Sequence, residues 1–428
     1  MRRFLWLALT MGLLCPLACN DDGSGSEIHY ETGLEERGHI HVLRLAGTPY
    51  EMGLQTGELM ADALADGVEF LYSDPLFSAF VPLARSQGFL DDAQDQSYPY
   101  VLDECRGMAE AARRAGVDWT EDECLGLAWG DVLLEHLDSM MGACSQIVVS
   151  GPGTVADTHL HIRSLDWGNI SYLFQHPTVI VRRPEGKIPY VTIGFPGMVA
   201  PYSGINEAGL SVASNENVAI DDIDREGRSH VQMVGYILQN FRSLEEAEAF
   251  IRDQDHCTAE SLMVSDAVAG QAAVFEMSAT HLAVRYLSDD GVVYMTNHFV
   301  EESMDGLHIE YAPEDSSPSR FARMRELVEP DGVDSVYGEL GPEVAVEKIL
   351  RDTTNPVTGV THPLDLFDGG GSIANNAAVY MMVFAPRERM FWVSMGEKPV
   401  AAQRFVGFHL DELFGIDPKA VAEPAFID

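Results

Sequence analysis

The chain reads as an α+β protein built in layers, and three features of its 428 residues predict this. Up to about residue 140, apolar residues recur at helical spacing between capping signals. Beyond Cys144 the texture changes to short β-type runs broken by Gly, Pro and Asp turns. Among those runs lie helical segments, the mix expected when sheets pack together with helices outside.

Taken in order, His39–Leu45 predicts a strand, and Gly47-Thr48-Pro49-Tyr50-Glu51-Met52-Gly53 a turn leading into a helix through Met60 and Leu64. Val101, Cys105, Met108, Ala109 and Ala112 mark one face of a helix over residues 98–115, ending at Gly116. Thr120 and Glu123 form a capping box for the next helix. Strands are predicted at Ile147–Val149, Leu160–Ile162, Thr178–Val181 and Tyr190–Ile193. Ser203 to Asn215 predicts a hairpin turning at Asn206–Gly209, with Asn206 a turn residue. A helix follows over Val231–Phe241, and Ser243 with Glu246 predicts a second capping box. Strands resume at Leu262–Val264, Ala273–Phe275, Leu282–Tyr286 and Val292–Met295, with helices near residues 318–328 and 342–351. Two late strands, Val379–Phe384 and Met390–Ser394, complete the expected pattern.

Net charge is −40, from 27 basic and 67 acidic residues. Such a surface argues against nucleic-acid partners and against anionic membranes bound through a basic patch. Arg2-Arg3 and the apolar Phe4–Leu17 read as an export signal over residues 1–18, too short to span a bilayer. Pro16-Leu17-Ala18-Cys19 resembles a lipobox, which makes Cys19 a candidate for lipidation and residues 19–38 a polar tether. The expected location is therefore periplasmic or anchored at a membrane by lipid. Residues 39–143 then form a mainly helical region and 144–428 the catalytic one. Export permits disulfides, so Cys105 and Cys124, on adjacent predicted helices, either pair or stay as buried thiols.

Cys144 is the residue that needs a chemical account. A thiol is the most nucleophilic side chain, but with a pKa of about 8.5 it needs a base at neutral pH. No His or Asp occupies an obvious partner position nearby. The α-amine of a chain terminus has a pKa of about 7.7–8.0, suited to a general base. Gly142-Ala143 just upstream would allow the tight backbone needed for the thiol to attack its own preceding carbonyl.

Gly142-Ala143-Cys144-Ser145 followed by Arg163-Ser164-Leu165-Asp166-Trp167 resembles the acyl-CoA:6-aminopenicillanate acyltransferase family of N-terminal-nucleophile hydrolases. Acid ceramidase and bile-salt hydrolase are more distant relatives of that type. The likeness extends to Gly47–Gly57, Glu104–Ala111, Ser203–Leu210, Thr296-Asn297-His298 and Ser316–Arg320, in consistent order over most of residues 40–400. It implies an αββα four-layer sandwich of largely antiparallel sheets. It also implies autocleavage between Ala143 and Cys144, with Cys144 as nucleophile and two chains that stay associated. Asp166 would hold the new amine, Arg163 would lower the thiol pKa, and Asn297 would serve the oxyanion hole. By the same resemblance Asn215 is a second donor and Arg320 either a structural group or one that meets a substrate carboxylate.

The expected activity is cleavage or transfer of the acyl group of a small linear amide through a thioester, with no cofactor or metal. The amide would be an N-acyl amino acid, a peptide or a lipid amide. Two other readings compete. His159 and His161, alternate residues of one predicted strand, imitate the His-x-His pair of zinc amidohydrolases. The third is a surface lipoprotein that keeps the fold without turnover.

Overall fold

The computed structural model describes residues 31–75, 77–136, 143–167, 171–218, 220, 223–366 and 370–428. The expected signal, Cys19 and Gly142 lie outside them. No helix of the described residues is long and apolar enough to cross a membrane.

The chain opens with β1 (Gly33–Arg37) and β2 (Ile40–Gly47), then α1 (Pro49–Leu59), α2 (Ala61–Ser73), α3 (Phe80–Ser86) and α4 (Phe89–Gln96). The helical run continues with α5 (Pro99–Ala115), α6 (Glu121–Ala128) and α7 (Gly130–His136). The hairpin β3 (Ala143–Ser150) and β4 (His159–Asp166) follows, with α8 (Ser171–Gln175), β5 (Thr178–Pro184), β6 (Tyr190–Gly194), β7 (Ser203–Asn206) and β8 (Leu210–Glu216). Then come α9 (His230–Asn240), α10 (Leu244–Arg252), β9 (Glu260–Asp266), β10 (Gln271–Met277), β11 (Leu282–Tyr286), β12 (Val292–Met295) and α11 (Ser316–Val328). The small β13 (Thr354–Asn355) and β14 (Val360–Thr361) pair with each other. The chain closes through β15 (Ala378–Ala385), β16 (Met390–Met395), β17 (Phe405–His409) and β18 (Phe426–Ile427).

Among the described residues one sheet has nine strands in the order β1-β2-β5-β6-β7-β8-β9-β10-β11. The other has seven, β12-β3-β4-β15-β16-β17-β18. All neighbours are antiparallel except β2 and β5, which run parallel. Alternation along each strand sets the layers. On β2 and β5, Leu43, Leu45 and Ile180 pack against Met52 and Met60 on the helical side, while Val42, Val179 and Val181 join the core between the sheets. On β3 and β4, Ile147, Val149, Leu160 and Ile162 face Met324 and Leu327 of α11. Helices, sheet, sheet and helices therefore stack as an αββα sandwich.

Two differences from the sequence reading have physical causes. The tether expected over residues 19–38 contributes β1, whose Gly33–Arg37 pairs in register with Ile40–Arg44. Its exposed charges hide a strand that gains its hydrogen bonds from a neighbour rather than from its own pattern. The short strands β17 and β18 also escape the alternation rule, because Phe405–His409 and Phe426–Ile427 are completed by pairing with β16 and each other.

Of the two expected capping boxes, one forms as expected. Thr48 and Glu51 cap α1, and Thr120 and Glu123 cap α6. At α10 the box is split: Ser243 accepts from the Glu246 amide, but the Glu246 carboxylate takes the Arg242 amide instead. The glycines shared with the family resemblance are a packing device. A Cβ on Gly53 would lie 2.0 Å from the Glu104 carbonyl, and one on Gly107 would lie 2.1 Å from the Tyr50 carbonyl. Only glycine lets α1 and α5 approach so closely. The disulfide Cys105–Cys124, with Cα atoms 5.5 Å apart, ties α5 to α6, so these cysteines are paired rather than free. Beneath α5, Glu104 and Arg182 form a buried ion pair at 3.0 Å, and Arg182 also donates to Thr192 and Met198. Breaking such a pair costs about 3–5 kcal/mol, since the remaining charge stays buried.

Candidate active site

The site forms where the first residues of β3 meet the last of β4, between the two sheets. Cys144 is buried, and the register sets Cys144 opposite Leu165 and Ala143 opposite Asp166. The backbone N–H of Cys144 donates to Asn297 Oδ1 at 2.7 Å. Its carbonyl accepts from Asn215 Nδ2 at 3.3 Å and from Arg320 Nη1. Its sulfur lies 3.7 Å from Arg163 Nη2. Burial pushes the thiol up to about 11, with Arg163 opposing and Asp166 adding to the rise. In the uncut chain the sulfur is therefore a protonated thiol beside a guanidinium.

Each partner has its own support. Asn297 follows β12, and its amide donates to Ser317 Oγ on α11 at 2.7 Å. One turn further along α11, Arg320 donates to Asn297 Oδ1 at 2.8 Å and to Ser145 Oγ at 3.0 Å. Ser316 and Ser319 anchor the same helix to the carbonyls of Gly370 and Gly371. The Ser316–Arg320 motif is thus a bracket around Cys144. Asp166 accepts from Ser164 Oγ at 2.9 Å and from Asn375 Nδ2 at 2.6 Å. Arg163 and Asp166, three residues apart, would face opposite ways on a regular strand. The pairing of β15 with β4 shifts register between Ala378 and Tyr380, opposite Asp166 and Leu165. Such an irregularity re-aims side chains at a strand end, and Asp166 lines one cavity with Cys144.

Cys144, Arg163, Asp166, Asn215, Asn297 and Arg320 thus converge from β3, β4, β8, the end of β12 and α11. One contact differs from the expected roles. Asn297 offers its carbonyl oxygen to the Cys144 nitrogen and spends its NH₂ on the Glu216 carbonyl at 2.7 Å. Asn215 is the amide whose NH₂ reaches the Cys144 carbonyl. Arg320 is buried among protein acceptors and is not among the residues lining the cavity, which accords with the structural one of its two expected roles. Asn375, Ser164 and Ser317 were missed in the sequence, for their importance lies in what they hold.

His159 and His161 do not fit a metal. His159 Nδ1 and Nε2 meet Ser150 Oγ at 2.9 Å and Ser265 Oγ at 2.6 Å. His161 Nδ1 and Nε2 meet Ser211 Oγ and Gln146 Oε1, both at 3.0 Å. All four ring nitrogens are committed, and burial holds the rings neutral, down to about 4 and about 3. Among the described residues no group of His, Cys, Asp and Glu is placed to hold a metal ion.

The cavity itself has a volume of about 20 Å³ and is walled by Cys144, Asp166, Trp167, Asp131, Glu216 and Glu260, among others. None of those last three carboxylates was singled out in the sequence. A second, apolar cavity of about 30 Å³ shares Trp167 as a wall with Phe70, Phe77 and Tyr172.

Comparison with known proteins places these observations. An uncharacterized protein of Archaeoglobus fulgidus is 25% identical over 394 residues, 81% of this chain and 64% of its own length. The chain therefore spans less than two thirds of that relative. Among solved structures, a variant of conjugated bile acid hydrolase from Clostridium perfringens is similar at 16% identity and a TM-score of 0.40, over 63% of this chain and 93% of that one. The Caenorhabditis elegans ortholog of N-acylethanolamine-hydrolyzing acid amidase is 18% identical with a TM-score of 0.38, over 57% and 93%. The family model for acyl-coenzyme A:6-aminopenicillanic acid acyl-transferase matches residues 157–399. That span holds Arg163, Asp166, Asn215, Asn297 and Arg320, with Cys144 just upstream of it. The chain belongs to the acyl-coenzyme A:6-aminopenicillanic acid acyl-transferase family.

Proposed function

We propose that this chain cleaves itself before Cys144 and then uses that residue to hydrolyse or transfer the acyl group of a small linear amide. In the first step the thiol attacks the Ala143 carbonyl, the acyl group moves from nitrogen to sulfur, and water releases the Ala143 carboxylate. The Cys144 α-amine is freed where a peptide nitrogen stood. In turnover the sulfur attacks the substrate carbonyl, the α-amine passes the thiol proton to the leaving amine, and a thioester forms. Water, or a second amine, then takes the acyl group and regenerates the thiol.

One observation carries the reading: both reactive atoms of Cys144 already have their partners, Asn297 for the nitrogen and Arg163 for the sulfur. Arg163 would favour the thiolate as it forms. Asp166, fixed by Ser164 and Asn375 in the same cavity, would hold the amine once it is free. The two chains would stay together because β2, before the cut, is paired with β5 after it. Export and lipidation of Cys19 belong to the same proposal, and mass spectrometry of the membrane-extracted protein tests them.

The deciding experiment is N-terminal sequencing of purified active protein, combined with a panel of N-acyl amides. A new terminus at Cys144 and release of free amine are expected. An active protein with Ala143 still joined to Cys144 would refute the mechanism.

A further inference from the structure

The cavity at Cys144 is unusual in what it buries. Asp131 of α7, Glu216 at the end of β8 and Glu260 at the start of β9 converge on it. Glu260 is 1% exposed, and neither of its carboxyl oxygens has a hydrogen-bond partner among the described residues. Asp131 by contrast is held by Ser229 Oγ at 2.9 Å and the His230 amide at 3.1 Å. Ser214 Oγ, also in the wall, has no partner either. An unpaired carboxyl buried this way costs stability unless something compensates it. Elsewhere the fold compensates: buried Glu104 has Arg182.

The geometry points to a primary ammonium group of the substrate as the partner of Glu260, Glu216 and Asp131. This rests on the amide-cleaving reading above and names its substrate class: amides that carry an amino group near the scissile bond. A void of about 20 Å³ admits one water-sized head, which an ammonium is and a guanidinium is not. Three donors on such a head match oxygens converging from separate elements.

Without a cation the site stores protons instead. Burial, with Glu135 and Asp131 adding to it, pushes Glu216 up to about 8, and Asp131 rises to about 6. Glu260 too is held well above the ordinary carboxyl range, by burial first and then by Asp131, Glu216 and Glu135, with Arg163 opposing. Among the described residues, Cys144, Asp166 and Tyr202 are the other titratable groups lining the cavity. A cation favours the ionised carboxylates, so its binding releases protons and tightens as pH rises through about 8.

Two measurements on the processed protein test this. Calorimetry with n-butylammonium chloride, in buffers of different ionisation enthalpy, should give saturable binding with proton release. Glu260→Gln should weaken it at least tenfold, and Glu216→Gln serves if that variant fails to fold. Absence of saturable binding, or unchanged affinity in the folded variants, overturns the ammonium site whether or not amides turn over. Second, one acyl group is supplied on ethane-1,2-diamine and on ethylamine, with a third amide carrying the amino group next to the carbonyl on the acyl side. A kcat/KM at least tenfold higher for either amino-bearing amide is expected, and the better of the two assigns the side. Equal rates, or preference for the neutral amide, would overturn the assignment while leaving amide cleavage standing. Butylammonium binding without any amide turnover would instead sink the amide reading alone.

Discussion

The β3–β4 hairpin has two ends that bury polar side chains between the same two sheets, and the ends differ in how they satisfy them. At the turn end, His159 bonds Ser150 and Ser265, His161 separately bonds Ser211 and Gln146, and every ring nitrogen of the two is used. At the open end, Arg163 Nε, Ser214 Oγ and both carboxyl oxygens of Glu260 lack partners among the described residues, all close to Cys144. The same interface thus supports a closed network and an under-satisfied one. Buried polar groups normally find partners, and each exception beside Cys144 calls for a physical explanation.

Substitutions that treat the ends alike would break this contrast. The largest effect is expected for Cys144→Ala, which should leave one uncut chain and abolish turnover by a factor of about 10³ or more. Intact mass and amide hydrolysis check it together. Arg163→Leu comes next: turnover should fall by about 10² or more, and the pH of half-maximal thiol alkylation should rise. Arg163→Lys should recover part of that shift.

At the turn end the pattern should invert. His161→Leu orphans Ser211 and Gln146 and should cost about 2 kcal/mol of stability in denaturant unfolding. Because Gln146 also reaches Asn215, kcat/KM should fall, but less than tenfold. A chelator should leave turnover unchanged; loss of activity on chelation would revive the metal reading of His159 and His161.

The smallest effect sharpens the acidic side. Glu216 is protonated in the folded chain up to about pH 8, against an ordinary value of 4.5. Below 4.5 both states carry the proton and its contribution to stability is fully present. As pH rises from 4.5 to about 8 the unfolded chain releases the proton first, so that contribution is lost. Glu216→Gln should flatten this part of the thermal stability profile. An unchanged slope would mean that Glu216 is ionised in the fold.

By itself the sequence determined the helical first part, the two strands after Cys144, the capping box at Thr120 and Glu123 and the motifs whose residues gather around Cys144. These are legible because period, caps and short motifs are local. The tertiary structure alone decided that Asn297 turns its oxygen to the Cys144 nitrogen, that Arg320 faces the protein and that Cys105 reaches Cys124. It also decided that residues 33–37 are a strand. The acidic cavity belongs there too, for Asp131, Glu216 and Glu260 lie far apart in the chain. Each looks in isolation like one more surface charge among 67 acidic residues. Burial and convergence are properties of packed sheets, and no spacing rule along the chain encodes them.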